Sequence, residues 1–169
     1  MNDSNPKNED SASRTLPSTR LRELGIELPP APTPLGAYVE TSQVGSLLFL
    51  SGMLPLVHGK LPFTGRFGSN LTVAQGREAA RLAALNALAV ADHHLPGLDR
   101  VQGVVRLGVS MITTPEFVEH AVVADGASDL FVQVFGKTPG HTRLINGVQS
   151  LPIAAPVIIE VIFRVEEVE

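Results

Sequence analysis

Two charged side chains stand inside runs of strand-forming residues near the C-terminus. Arg143 precedes Leu144, Ile145 and Val148, and Glu160 lies within Val157-Ile158-Ile159-Glu160-Val161-Ile162-Phe163. A charge inside an apolar strand is costly unless it is paired or put to use. A guanidinium offers two parallel N–H donors to a carboxylate and stays charged even when partly buried. Residue types alone therefore support two readings of Arg143 equally: a structural ion pair with Glu160, or a clamp on the carboxylate of a ligand. Tyr38, the single tyrosine of the chain, reads first as a core or interface aromatic. Ser51-Gly52 ends a strand-like run, where backbone can come close to a ligand and a serine hydroxyl can bond to it.

Other chemistries find no support. The chain has no cysteine, which removes thiolate nucleophiles, zinc-thiolate sites and disulfides. His93 and His94 read as solvated residues near a helix C-terminus, where positive charge is favoured, and His58, His120 and His141 each stand alone. No HExxH pattern or ligand-spaced carboxylates suggest a metal. Gly65-Arg66-Phe67-Gly68 is too short for a phosphate loop, and Ser51-Gly52 lacks the flanks of a nucleophile elbow. A net charge of −4 offers no basic stripe for nucleic acid or an anionic membrane, so a small molecule is the expected partner. The first 20 residues lack the apolar core of a signal peptide, and no apolar run is long enough to span a membrane. A cytoplasmic protein is expected.

These candidates need elements to hold them. At 169 residues and 44% hydrophobic, the chain suits one domain with a sizeable core. Residues 1–20, rich in Asn, Asp, Ser and Pro to about Ser18, read as a disordered tail, and residues 21–169 as the domain. Residues 21–28 allow a short helical turn before Pro29-Pro30-Ala31-Pro32 stops it. Strands are predicted at 38–41 and 47–51 around Val44-Gly45-Ser46, then an extended loop over 53–70. Thr72 and Gln75 form a capping box for a helix running to about Leu95, its core stripe expected at Leu82, Leu85 and Leu88. A strand follows at 101–112. A second helix is predicted from Thr113-Thr114-Pro115 towards Phe135, ended by Gly136 and open to a break at Asp125-Gly126-Ala127-Ser128. Strands at 141–149 and 156–168 close the chain, the last alternating with Val157, Ile159, Val161, Phe163 and Val165 on one wholly apolar face. The result is an α+β domain with one sheet covered on one face by two helices. Such a sheet leaves its other face for self-association.

The residues also carry a resemblance. The runs Pro34-Leu-Gly-Ala-Tyr38-Val-Glu, Leu50-Ser-Gly-Met-Leu-Pro55, residues 99–117, His141-Thr-Arg143, Ser150-Leu-Pro152 and Ile159-Glu160 together resemble the RidA/YjgF family of imine deaminases, over residues 33 to 165. The resemblance implies a chorismate-mutase-like, RidA-type single domain with a mixed β-sheet. It implies a homotrimer whose sheets form a central barrel, with ligand clefts between subunits. The implied reaction is hydrolysis of small 2-imino acids to 2-keto acids and ammonia, without metal or cofactor. It makes Arg143 the catalytic carboxylate clamp, with Tyr38, Ser51, Gly52, Phe117, Ile145 and Glu160 as further substrate contacts. Ile158 takes the place of the family's water-orienting glutamate, Ala121 that of a pocket asparagine, and Met53 that of a glutamine. The clamp is thus kept while the water-handling groups are replaced, as in a divergent, longer branch, and a non-catalytic module binding small carboxylates in the same cleft is the alternative.

Overall fold

A computed structural model describes residues 15–34, 36–137 and 140–167. In chain order the elements are α1 (Pro17–Glu23), β1 (Thr41–Val44), β2 (Leu47–Leu50), α2 (Val73–His94), β3 (Val101–Ile112), α3 (His120–Phe135), β4 (Thr142–Val148) and β5 (Val157–Val165), with short 3-10 turns at Leu98–Arg100 and Pro152–Ala154. The five strands form one mixed sheet in the order β1-β2-β5-β3-β4, in which only β3 and β4 run parallel. The α+β architecture expected from the sequence is the one observed.

The last strand organises the sheet because its alternation is strict. Val157, Ile159, Val161, Phe163 and Val165 are buried beneath the helices, and each contributes roughly 1.5–3 kcal/mol by leaving water. Glu160 and Arg164 point to the other face and are exposed, with Ile158 and Ile162 half-buried between them. Flanked by β2 and β3, β5 is central and shares the helix-facing surface with Leu107, Val109 and Met111 of β3.

The helix layer differs from the expectation in informative ways. Thr72 caps α2 with the anticipated box: its hydroxyl accepts from the Gln75 N–H, and the Gln75 side chain accepts from the Thr72 N–H. The buried stripe, however, is alanine. Ala79, Ala80, Ala83, Ala84 and Ala87 are fully buried with Leu88, whereas Leu82 and Leu85 are only half-buried. Small residues win because α3 lies very close: a Cβ on Gly126 would run into the backbone carbonyl of Arg77, and one on Gly76 would meet Phe67 and Val123. The helix therefore does not break at Asp125-Gly126-Ala127-Ser128. Gly126 marks the close approach.

α3 starts at His120, later than the Thr113-Pro115 signal, because the intervening residues bond elsewhere. The Thr114 N–H donates to the Phe67 carbonyl, and the Phe117 ring packs on Phe67 at 5.7 Å. Gly136, at φ 87°, ends the helix as anticipated. β1 lies three residues later than predicted, pairing Thr41 with Leu50 and Val44 with Leu47 across the Gly45 turn. Of the tail expected over residues 1–20, positions 1–14 lie outside the described residues, and Pro17 already begins α1. That helix is tied down where the Ser18 N–H and hydroxyl both donate to Asp99, at 2.8 Å each. It adds a third helix to the expected two.

Among the described residues no helix covers the second face of the sheet. Val44, Phe49 and Leu144 are exposed there, beside Ile158 and Ile162 and the charges of Arg106, Glu160 and Arg164. The helix contact gives a direct test of the packing. Gly126→Ala should lower stability by about 1–3 kcal/mol in urea unfolding, although alanine is the better helix former. A stabilised variant would mean the two helices stand further apart.

Candidate functional site

The strand register separates the candidate residues onto two faces. Leu107 of β3 is level with Arg143 on one side and Val161 on the other, and Leu107 and Val161 are buried under the helices. Gly108, the next residue, is level with Leu144 and Glu160 on the open face. Arg143 and Glu160 therefore point away from each other, which excludes the ion pair between them that the sequence had left open.

Arg143 has another partner. β4 is an edge strand and α3 lies above it, so the arginine side chain rises from the strand against the helix. Its Nη1 donates to Asp125 Oδ1 at 2.7 Å and to Ser128 Oγ at 3.0 Å. Asp125 is also 3.9 Å from Arg77, whose Nη2 donates to Asp129 at 2.7 Å. Among the described residues Nε and Nη2 of Arg143 have no hydrogen-bond partner, and the side chain is 24% exposed. The guanidinium is thus fixed through one nitrogen while a two-donor edge stays open, the geometry that takes a carboxylate bidentately.

The network reaches one residue further. Ser128 Oγ lies 3.0 Å from His141 Nε2. Ser128 can accept from Arg143 and donate its own proton to Nε2, an arrangement that takes a neutral His141 with its proton on Nδ1. Burial, and then the Arg143 charge, lower the His141 pKa from its ordinary value.

Ile145, two residues beyond Arg143 on the same side of β4, is half-buried and packs against the core. Phe117 is buried between Phe67 and His120, with its ring 5.0 Å from the imidazole, so it supports the approach to α3 from inside. Tyr38, Ser51 and Gly52 lie elsewhere, at the end of β2. The Ser51 hydroxyl donates to the Val39 carbonyl at 2.7 Å, which holds the segment that carries the exposed Tyr38. A Cβ on Gly52 would sit 2.5 Å from Ile158 Cδ1, so this glycine lets the chain cross β5 closely. Gly52, Ile158 and Glu160 line a depression of about 190 Å³ on the open face with Arg106, Ser110 and Asn146. Within one chain the predicted residues are therefore dispersed: Arg143 and Ile145 lie under α3, Phe117 is buried beside His120, Gly52 and Glu160 line the open-face depression, and Tyr38 and Ser51 lie near the end of β2.

Three residues had no role at the sequence level. Asp125 and Ser128 anchor the arginine, yet they stand 18 and 15 positions from it and show their purpose only once α3 lies over β4. Arg66, in the glycine-bounded loop, donates to the carbonyls of Thr113 at 2.6 Å and Gln149 at 2.9 Å, joining the C-terminal ends of β3 and β4. Its flanking glycines serve that loop, with φ of 135° at Gly65 and 82° at Gly68.

Comparison with known proteins supplies the remaining observation. Residues 18–165 match the family described as "YjgF/chorismate mutase-like, putative endoribonuclease". Protein TCP17 of Trypanosoma cruzi is 42% identical over 141 residues, which is 83% of this chain and 88% of that protein. A Shewanella oneidensis crystal structure with the same endoribonuclease description superposes with a TM-score of 0.85 at 34% identity, covering 89% of this chain and 100% of that one. The RidA structure from an Antarctic Psychrobacter gives 0.58 at 20% identity over 80% and 94% of the two chains, a likeness of fold.

The neutral His141 carries a pH signature. Its folded-state pKa lies below the unfolded value near 6.5, so the unfolded chain takes up the proton first as pH falls. Stability should drop through that window and level off below the folded pKa. Melting curves between about pH 7.5 and 5 should show this component in the parent and lose it in His141→Asn. Identical pH dependence in the two proteins would contradict the assignment.

Proposed function

Because the chain belongs to the YjgF/chorismate mutase-like family, we propose that it binds a small 2-imino or 2-keto acid through Arg143 and hydrolyses the imine to a 2-keto acid and ammonia. The observation that carries this reading is the open Nε/Nη2 edge of an arginine anchored by Asp125 and Ser128. A fixed guanidinium binds without losing further side-chain freedom, and a lysine in its place would supply only a point charge. The reaction needs no metal or cofactor, and its setting is the cytoplasm.

The working form is a homotrimer. One chain presents Arg143 on the helix side of β4 and Gly52 and Glu160 on the far side of the sheet, so a second copy is needed to bring both groups to one ligand. The uncovered face with Phe49, Leu144, Ile158 and Ile162 supplies apolar surface for that association.

A non-catalytic module that holds a small carboxylate is the second reading, favoured by Ile158, which cannot polarise water, and by the small exposed Ala121. Ribonuclease action, the activity in the family description, is less well supported. A net charge of −4 and one tyrosine are a poor match for a polyanion read by stacking.

Light scattering should give about three times the 17.9 kDa chain mass, and a monodisperse monomer would remove the shared cleft. Calorimetry with pyruvate tests the clamp. Arg143→Lys should weaken binding by roughly 1–3 kcal/mol with the assembly intact. Equal binding by the lysine variant would rule the clamp out, and dissociation or unfolding would make Arg143 architectural.

A further inference from the structure

A cavity of about 730 Å³ lies between α2, the proline-rich segment at residues 27–33 and the turn at residues 56–59. None of Arg143, Asp125, Ser128, Tyr38, Gly52 and Glu160 lines it. Sites that enclose a small organic molecule commonly measure roughly 300–1,000 Å³. Leu82 and Leu85, the α2 leucines that the alanine stripe leaves half-buried, form one wall, with Leu28 and Leu56 on the others. Their apolar surface is turned to this space instead of to the core.

The walls are fixed. Leu28 and Ala31 pack against the core. Val57 and Lys60 exchange N–H···O bonds at 2.9 and 3.0 Å across a turn in which His58 and Gly59 both take positive φ, 49° and 74°. Asn86, only 3% exposed, ties α2 to that turn: its Nδ2 donates to the carbonyls of Leu54 at 2.8 Å and Leu56 at 3.0 Å. Two carbonyls require the NH₂ group there, which leaves Oδ1 directed elsewhere. Among the described residues Oδ1 has no hydrogen-bond partner, and no side-chain oxygen sealed from solvent lacks one, so Oδ1 reaches open space. The open space that Asn86 borders is this cavity.

We propose that this cavity binds a small apolar amine, its hydrocarbon body lying on the leucines and its N–H donating to Asn86 Oδ1. The polar groups that surround the space favour a donor. Pro29, Pro30 and Pro32 have no backbone N–H, so between positions 29 and 32 only Ala31 supplies one, while none of the carbonyls there is hydrogen-bonded among the described residues. Glu27 is the charged residue of the lining, and the cations next along the chain, Arg81 and Lys60, are not part of it. His58 and Thr33, both exposed, are the other polar side chains there. An ammonium group meets this set favourably, whereas a carboxylate would face Oδ1 and the Glu27 charge. The ligand is thus opposite in charge to the acid proposed for Arg143, and the two sites share no residue.

The test titrates 4-phenylbutylamine, and separately its anionic counterpart 4-phenylbutyrate, into the full-length ¹⁵N-labelled chain. Shifts are read by NMR at the Leu82 and Leu85 amides and at the Asn86 side-chain NH₂. The amine should move all three and bind there about tenfold or more tightly than the acid, as one charge-assisted hydrogen bond allows. Leu82→Trp, which fills the cavity from a half-buried helix position, should weaken amine binding about tenfold or more while the melting curve and the mass by light scattering stay parental. The comparison of the two probes on the parent decides the matter even where that variant folds poorly. Equal binding of acid and amine at these residues, an amine that leaves the Asn86 side chain unmoved, or no shift at all would overturn the proposal. A changed assembly mass in a folded Leu82→Trp would also overturn it, by showing that a second copy covers the groove. Shifts of either probe at β4 belong to Arg143 and are scored apart, so the two readings stand or fall separately.

Discussion

At Arg77 and Gly126 the backbones of α2 and α3 come so close that no side chain fits between them. That contact decides where α3 lies over the edge strand β4. It is possible because α2 turns alanines inward along most of its buried stripe, and because α3 has glycine at the crossing point. With α3 set this low, Asp125 and Ser128 come within bonding distance of a guanidinium rising from β4. Gly126 is thus a structural residue with a functional consequence: it brings the neighbouring carboxylate down to the arginine.

The anchoring resolves a conflict that would otherwise count against Arg143 as a binding residue. A half-buried arginine with no partner would carry a large desolvation cost, whereas one with every donor occupied could bind nothing. Here one nitrogen satisfies two acceptors and an edge of two donors is left over. Ser128 links the arrangement to His141, whose pKa is lowered by burial and then by the Arg143 charge. Gly52 and Glu160, of the other half of the proposed cleft, belong to the far side of the sheet. This division is the main physical reason for placing the site between copies of the chain.

Much of the fold was legible because the period of the residues matched their burial. The alternation from Val157 to Val165, the Thr72/Gln75 box and the Gly136 stop each act within a few residues, and each appears in the structure where the local pattern puts it. What misled were features that depend on partners distant in sequence. The leucines of α2 looked like its core stripe because size is visible in a sequence and the nearness of α3 is not. Asp125-Gly126-Ala127-Ser128 looked like a break because glycine weakens a lone helix, while its reason is the carbonyl of Arg77. The same limit applies to the site. The type and strand context of Arg143 marked it, but whether Glu160 or Asp125 faces it depends on which side of the sheet each occupies.

The central claim is that the open edge of Arg143 holds a carboxylate while Asp125 and Ser128 keep the opposite nitrogen in place. A crystal structure of the chain with pyruvate tests it most directly. The account predicts both carboxylate oxygens about 2.7–2.9 Å from Nε and Nη2, with the Asp125 contact intact and residues of a second copy closing the cleft. Pyruvate bound away from Arg143, or an Arg143 that must abandon Asp125 to reach it, would contradict the claim.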